Sequence, residues 1–354
     1  MSEATARYLP HLAYILPSFI AALYALRSLP LHSNELPAAI DPGLTDLPVD
    51  SRVRVLYPED WTSGGGYATL PMGRVRYWIV GPKEGKKVVL VHGLNTPAIV
   101  FSRIVPILVA GGFHVLVYDL YGRGYSDAPQ NAPYDANLYV TQLALLLQYV
   151  RWERTRVLGF SMGGAIAAAF VATFPHLVEK DVVLMASAGA LEVQIPFFLF
   201  AILQQLPQGP VPFSGYRQYA FVQNRILKRF LGTMPIKTSA VDEKPQISEI
   251  IPLQATHLPG YRRAVASSLL EGPIVRMHWA FKSNNWAGKR VLFIHGTVDR
   301  TVPPAHSLKL RDWLESGAKP ETRVVDVLGA GHDLTLTHST LVGAALTEFF
   351  GGED

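Results

Sequence analysis

Short apolar runs alternate along this chain with stretches whose apolar residues recur at helical spacing. The runs at 87–91, 114–119, 181–185, 290–295 and 324–328 are almost continuously apolar, which predicts strands buried on both faces. Residues 67–80 alternate instead, with Pro71 to Gly73 near the middle, and read as a β-hairpin. Helices are expected at 102–110, where Gly111 and Gly112 stop the pattern, at 137–152 and at 339–350. Val157 and Leu158 lead into Gly159-Phe160-Ser161-Met162-Gly163, and the small residues 165–169 then read as another helix. Strands alternating with helices argue for a mostly parallel sheet covered on both faces.

That alternation breaks between 186 and 289, where no convincing strand occurs. Pieces at 195–206, 216–231, 261–270 and 274–282 read as helices separated by Pro and Gly, so a helical cap inserted between two core strands is expected. The division that follows is an apolar N-terminal segment at 1–29, a first core part at 30–185, the cap at 186–289 and a second core part at 290–354. Within the first core part, residues 30–60 are rich in Pro, Asp and Leu without a period, and read as a linker or a meandering cover.

Residues 8–26 are uncharged, mostly apolar and bracketed by Arg7 and Arg27, and they reach the roughly 20 residues that a bilayer asks for. Pro10, Pro17 and His11 count against a spanning helix, because prolines interrupt its hydrogen bonds and the histidine costs insertion energy. Three readings compete: a single uncleaved membrane anchor, a cleaved signal peptide, and an apolar arm packed on the protein. The first makes the protein membrane-associated, the second secreted, the third compatible with the cytoplasm. Leu23 stands where a cleavage site wants a small residue, and the flanking charge is too balanced to assign an orientation.

Composition changes this picture mainly by exclusion. The formal net charge is +4 and the basic residues are scattered, so nucleic acid is not an expected partner. With no cysteine, a disulfide framework, a thiol nucleophile and thiolate metal ligands are all ruled out. No His/Asp/Glu cluster has metal-ligand spacing. Gly122 and Gly124 lack the third glycine of a dinucleotide fingerprint, and Gly64-Gly65-Gly66 has no Lys-Ser/Thr after it; no metal and no cofactor are expected.

The chemistry concentrates at Ser161. A Gly-x-Ser-x-Gly turn between strand and helix is a nucleophile elbow, in which the serine backbone is strained and its neighbours two away must be small. Gly159 and Gly163 meet that demand, and the free N–H groups of the following helix favour developing negative charge. Four further motifs accompany it: His92-Gly93-Leu94-Asn95, Asp119-x-x-Gly122-x-Gly124-x-Ser126, Gly296-x-x-Asp299 and Gly329-Ala330-Gly331-His332. On these residues the chain resembles the α/β-hydrolase family from about Arg74 to the C-terminus. The resemblance implies the α/β-hydrolase fold, α/β in class, with a mostly parallel central sheet, helices on both faces and an inserted helical cap. It is closest in kind to capped serine esterases of the monoacylglycerol-lipase type.

The family's chain order of nucleophile, acid and base then implies a triad of Ser161, Asp299 and His332. His332 would accept the serine proton, and Asp299 would fix the imidazole tautomer and stabilise the imidazolium. The oxyanion would be held by the backbone N–H groups of Leu94 and Met162, with Asn95 an alternative donor to Leu94 and Gly93 letting the backbone turn inward. His92 reads as bracing that loop, His295 as packing or supporting the acid, and Asp119, Arg123 and Ser126 as shaping a turn behind the site. No acid stands at 186–190, the other place the family puts one, which favours Asp299.

The function expected is hydrolysis of a carboxylic ester through an acyl-enzyme. The small-molecule ester would be moderately apolar and lipid-like, given Phe197-Phe198-Leu199-Phe200 in the cap and possible membrane association through residues 8–26. Ser161 argues against epoxide hydrolases and haloalkane dehalogenases, which carry aspartate at the elbow. Carbon–carbon bond hydrolases of ring-cleavage products use serine and a similar cap, and Arg262, Arg263 and Asn284 could hold their dienoate. Acyl transfer to another alcohol, or a non-catalytic membrane-tethered binding protein on the same fold, are the remaining alternatives.

Overall fold

The computed structural model describes residues 40–191 and 247–352. The apolar segment 8–26 and the expected helices at 195–206 and 216–231 lie outside the described residues. Among the described residues no helix is long and apolar enough to cross a membrane.

Eight strands form one sheet: β1 (Gly65–Leu70), β2 (Gly73–Val80), β3 (Lys87–Val91), β4 (His114–Tyr118), β5 (Thr155–Phe160), β6 (Val178–Met185), β7 (Arg290–Gly296) and β8 (Glu321–Val327). Their spatial order is β8-β7-β6-β5-β3-β4-β2-β1, and only β2 runs against the others. The hairpin is the expected one, with Leu70 paired to Gly73 across a two-residue turn. Strands β4 and β5 are buried at every position, as a sheet covered on both faces requires.

The helices are α1 (Arg52–Leu56), α2 (Val105–Ala110), α3 (Ala136–Tyr149), α4 (Met162–Thr173), α5 (Ile247–His257), α6 (Tyr261–Leu270), α7 (His278–Phe281), α8 (Ala305–Ser316), α9 (Leu334–Thr337) and α10 (Ser339–Gly351). Helix α4 is buried from Met162 to Val171, so its Gly-Ala face lets β5, β6 and α3 approach closely. Helix α10 packs on α2.

Two local differences from the sequence expectation have physical causes. Helix α3 ends at Tyr149 rather than Trp152, because Arg151 turns left-handed at φ 59° and the Trp152 N–H reaches back to the Leu147 carbonyl at 2.8 Å. The helix expected at 102–110 begins only at Val105, beside Pro106, and a separate 3-10 turn at Ala98–Phe101 precedes it. Residues 40–60 act as a cover with its own structure: Ile40 and Asp41 pair with Pro129 and Ala128, while Leu44, Val53 and Tyr57 are fully buried.

Candidate active site

The carboxyl ends of β3, β5, β7 and β8 deliver the predicted residues to one place. Ser161 follows β5 directly and adopts φ 58°, ψ −121°, a conformation L-residues rarely hold. It is over-determined by its surroundings: its N–H donates to the Met185 carbonyl at 2.9 Å, and its own carbonyl accepts from the Ala188 N–H at 2.9 Å. The flanking glycines are required by close approach. A Cβ on Gly159 would lie 2.2 Å from the Gly163 carbonyl oxygen, and one on Gly163 would lie 2.1 Å from that of Val91.

Ser161, Asp299 and His332 come together. His332 Nε2 lies 2.9 Å from Ser161 Oγ, and His332 Nδ1 lies 2.7 Å from Asp299 Oδ2. The Phe160 ring lies against the imidazole, with centroids 5.0 Å apart. Asp299 is buried and its other oxygen accepts from the N–H groups of Thr301 (2.8 Å) and Val302 (3.0 Å). Burial alone would raise its carboxyl pKa. Hydrogen bonds from His295 and His332, the His332 charge and the Val302 N–H outweigh that, and hold it well below the usual carboxylate range. Asp299 is therefore an anion that keeps the proton of His332 on Nδ1, leaving Nε2 free to accept from the serine.

His295 is a buried second histidine on the acid. Its Nε2 lies 2.8 Å from the Val302 carbonyl and 3.4 Å from Asp299 Oδ2, and its Nδ1 lies 2.6 Å from Ser307 Oγ. A carbonyl only accepts, so Nε2 carries the proton and Nδ1 accepts from the Ser307 hydroxyl. Asp333, next to His332, faces Thr337 at 3.5 Å rather than the imidazole.

The His92-to-Asn95 loop stands against the nucleophile. A Cβ on Gly93 would meet Ser161 Cβ at 3.0 Å and Oγ at 3.4 Å. Among the described residues, neither the Leu94 nor the Met162 N–H has an acceptor, which leaves both available to a bound oxygen. His92 braces the loop from behind: its Nδ1 pairs with the Gly93 carbonyl at 2.8 Å, and its Nε2 accepts from the Leu120 N–H at 2.9 Å. Burial holds its pKa down to about 3, so it is neutral. Asp119 accepts from Tyr57 Oη and the N–H groups of Ala98 and Tyr125, and Ser126 Oγ donates to its carbonyl.

Several contacts were not readable from spacing. Arg123 shapes the turn after Asp119 as expected, donating to the Tyr121 carbonyl, and its guanidinium also reaches the Leu94 carbonyl, which spacing does not show. Gln254 and Tyr261, from α5 and α6, both donate to the Asn95 carbonyl at 3.1 Å. The one available signal was the Gly122/Gly124 bracket: positive φ angles of 76° and 56° throw Arg123 inward. Arg262 donates to the Ala255 carbonyl and Arg263 to Asp41 Oδ2. Asn284 opens a short 3-10 turn whose Asn285 side chain donates to the Ala172 carbonyl, at the end of α4 remote from Ser161. The structure brings none of these three onto the nucleophile. Among the described residues no group of three acidic, histidine or cysteine side chains is placed to hold a metal ion.

Comparison with known proteins agrees with this fold. Residues 86–339 match the family described as "alpha/beta hydrolase fold". A serine hydrolase-like protein of Danio rerio is 31% identical over 36% of this chain, and the match spans only 38% of that relative's length. The 2-hydroxy-6-oxo-2,4-heptadienoate hydrolase of Pseudomonas putida F1 is 27% identical over 65% of this chain and 78% of its own. Among solved structures, a bromoperoxidase from Bacillus anthracis superposes with a TM-score of 0.63 at 21% identity, covering 81% of this chain and 100% of that one.

Proposed function

The chain belongs to the α/β-hydrolase family, and we propose that it is a serine hydrolase cleaving a carboxylic ester of a moderately apolar, lipid-like substrate through an acyl-enzyme. The observation that carries this is the hydrogen-bonded line from Ser161 Oγ through His332 to Asp299, at 2.9 and 2.7 Å, on a strained elbow. As Ser161 Oγ attacks the ester carbonyl, its proton passes to His332 Nε2, and Asp299 stabilises the imidazolium. The oxyanion forms beside the Leu94 and Met162 N–H groups, each worth about 3 kcal/mol in the transition state. Collapse breaks the bond to the alkoxy oxygen, which leaves as an alcohol with the proton from His332. Water then repeats the sequence on the acyl-enzyme and releases the acid.

Two features support an apolar substrate. The Phe160 ring packs on the His332 imidazole beside the serine, and Val298, immediately before Asp299, is exposed. The apolar residues 8–26 and the Phe-rich 197–200 point the same way in sequence. We place the chain at a membrane through 8–26; carbonate extraction of the full chain, compared with residues 30–354, tests that placement.

Carbon–carbon bond hydrolysis is the second reading, favoured by the similarity to the Pseudomonas enzyme. Against it, Arg262 and Arg263 are engaged elsewhere and Asn284 sits at the wrong end of α4. The deciding experiment is a p-nitrophenyl ester series from acetate to laurate on wild type and Ser161→Ala, with a 2-hydroxy-6-oxo-dienoate assayed in parallel. We expect a medium or long acyl optimum, lost by at least ~10³-fold in the variant. Turnover of the dienoate alone would overturn the ester reading.

A further inference from the structure

Arg123 is fully buried, and among the described residues no carboxylate pairs with it. Its guanidinium is surrounded by neutral oxygens. Nε donates to the Leu94 carbonyl (2.9 Å), Nη1 to the Tyr121 carbonyl (2.9 Å) and Tyr139 Oη (2.6 Å), and Nη2 to Ser268 Oγ (3.0 Å). Removing a cation from water without a counter-ion is costly, so a merely space-filling residue here would be better apolar. The charge is felt locally: it helps burial keep His92 neutral.

Gln254, also fully buried, works on the next peptide. Its Oε1 accepts from the Gly124 N–H at 2.8 Å while its Nε2 donates to the Asn95 carbonyl at 3.1 Å, where Tyr261 Oη donates as well. The two successive carbonyls after Gly93 are therefore each fixed, from the Gly122–Gly124 turn and from helices α5 and α6. Since a trans peptide is rigid, fixing its carbonyl fixes the whole plane. The Leu94 N–H itself shares a plane with the Gly93 carbonyl, which pairs with His92 Nδ1; with the next two planes also held, rotation about Leu94 is restricted, and with it the freedom of the amide beside Ser161.

We propose that Arg123 and Gln254 are positioning residues of the oxyanion-binding loop, holding the Leu94 and Asn95 carbonyls back so that the Leu94 N–H stays at the nucleophile. The buried guanidinium adds a positive potential behind the loop where negative charge develops. It follows that the helices between β6 and β7 do more than cover the site, since their packing sets oxyanion competence. This inference rests on the serine-hydrolase reading.

The test is the rate at which a fluorophosphonate labels Ser161 in the full chain, because it needs no knowledge of the natural substrate. In that reaction the Ser161 Oγ–P bond forms, the P–F bond breaks, His332 takes the serine proton and fluoride leaves, while the phosphoryl oxygen occupies the oxyanion position. Wild type, Gln254→Met, Arg123→Lys and Arg123→Met would be compared, each with its Tm and the pH dependence of labelling. We expect Gln254→Met to label roughly 10-fold more slowly per folded molecule. Arg123→Met should be slower still, and Arg123→Lys should recover part of the loss. The pH dependence should not move, because the Asp299–His332 pair is untouched. If Arg123→Met does not fold, the other two variants decide. Rates per folded molecule equal to wild type, with only Tm lowered, would mean the contacts fasten helices and nothing more. Failure of wild type itself to label would instead sink the serine-hydrolase reading, and this inference with it.

Discussion

Asp299 shows how much one carboxylate depends on its neighbours. Its depressed pKa means that it remains ionised near neutral pH, so the tautomer of His332 is fixed there. Asp299→Asn would keep the Thr301 and Val302 hydrogen bonds on Oδ1 but place an N–H₂ opposite His332 Nδ1. The neutral imidazole would then carry its proton on Nε2, facing Ser161, and could no longer accept. We expect kcat to fall about 10³- to 10⁴-fold with KM little changed, measured on the preferred substrate. A loss below 10-fold would remove Asp299 from the role assigned to it. Ser161, Asp299 and His332 were legible in sequence because each lies in a short motif at the end of an apolar strand run. Gln254, Tyr261 and the reach of Arg123 to the Leu94 carbonyl were not, because what each does is defined by partners distant in the chain. The Arg123–Ser268 contact, for example, joins the turn after β4 to α6.

At the scale of elements, the core strands were readable because a strand buried on both faces leaves no polar alternation to confuse the pattern. Helix α8 escaped notice for the opposite reason. Only Ser307, Leu310 and Leu314 of its residues are buried, and Pro303 and Pro304 precede it, so its apolar face is narrow and its start looks like a loop. The strand-helix junction around Ser161 admits no added atom. Gly159→Ala and Gly163→Ala would each drive a methyl into backbone, and we expect insoluble or unlabelled protein from both, against a soluble, labelled Gly351→Ala control with open space around it. The opposite ends of the same strands are locked by charge. Asp181, buried on β6, accepts from Arg156 Nε on β5 at 3.2 Å and from Arg290 Nε on β7 at 2.6 Å. Removing it leaves two cations on the sheet without their shared anion. Asp181→Ala should lose about 3–5 kcal/mol of stability by urea denaturation while the labelling rate of Ser161 in the folded fraction stays at wild type. Slower labelling would show the sheet transmitting strain from one end to the other.

For the molecule as a whole, the fold class was plain from the alternation of elements, whereas its response to acid depends on groups buried together behind the oxyanion loop. His92 and Asp119 sit there side by side, linked through the Leu120 N–H on His92 Nε2. Burial holds His92 down from 6.5 to about 3, so from pH 6.5 downward the unfolded chain takes a proton that the native state refuses. Stability from this group is present above 6.5 and is lost as pH falls towards 3. Burial pushes Asp119 the other way, from 3.8 up to about 7, against the hydrogen bonds it accepts from Ala98, Tyr125 and Tyr57. Its contribution is fully present below 3.8 and is lost as pH rises through about 7. Each slope is about 1.4 kcal/mol per pH unit, and between 3.8 and 6.5 the two oppose and largely cancel. Single substitutions should expose them separately. Relative to wild type, His92→Asn should gain stability as pH falls from 6.5 to 4.5, and Asp119→Asn should lose it over the same interval. Urea midpoints at three pH values in that interval would check both, because the difference curves must slope in opposite directions. Curves that do not diverge would mean that burial does not shift these two groups in opposite directions in the native state.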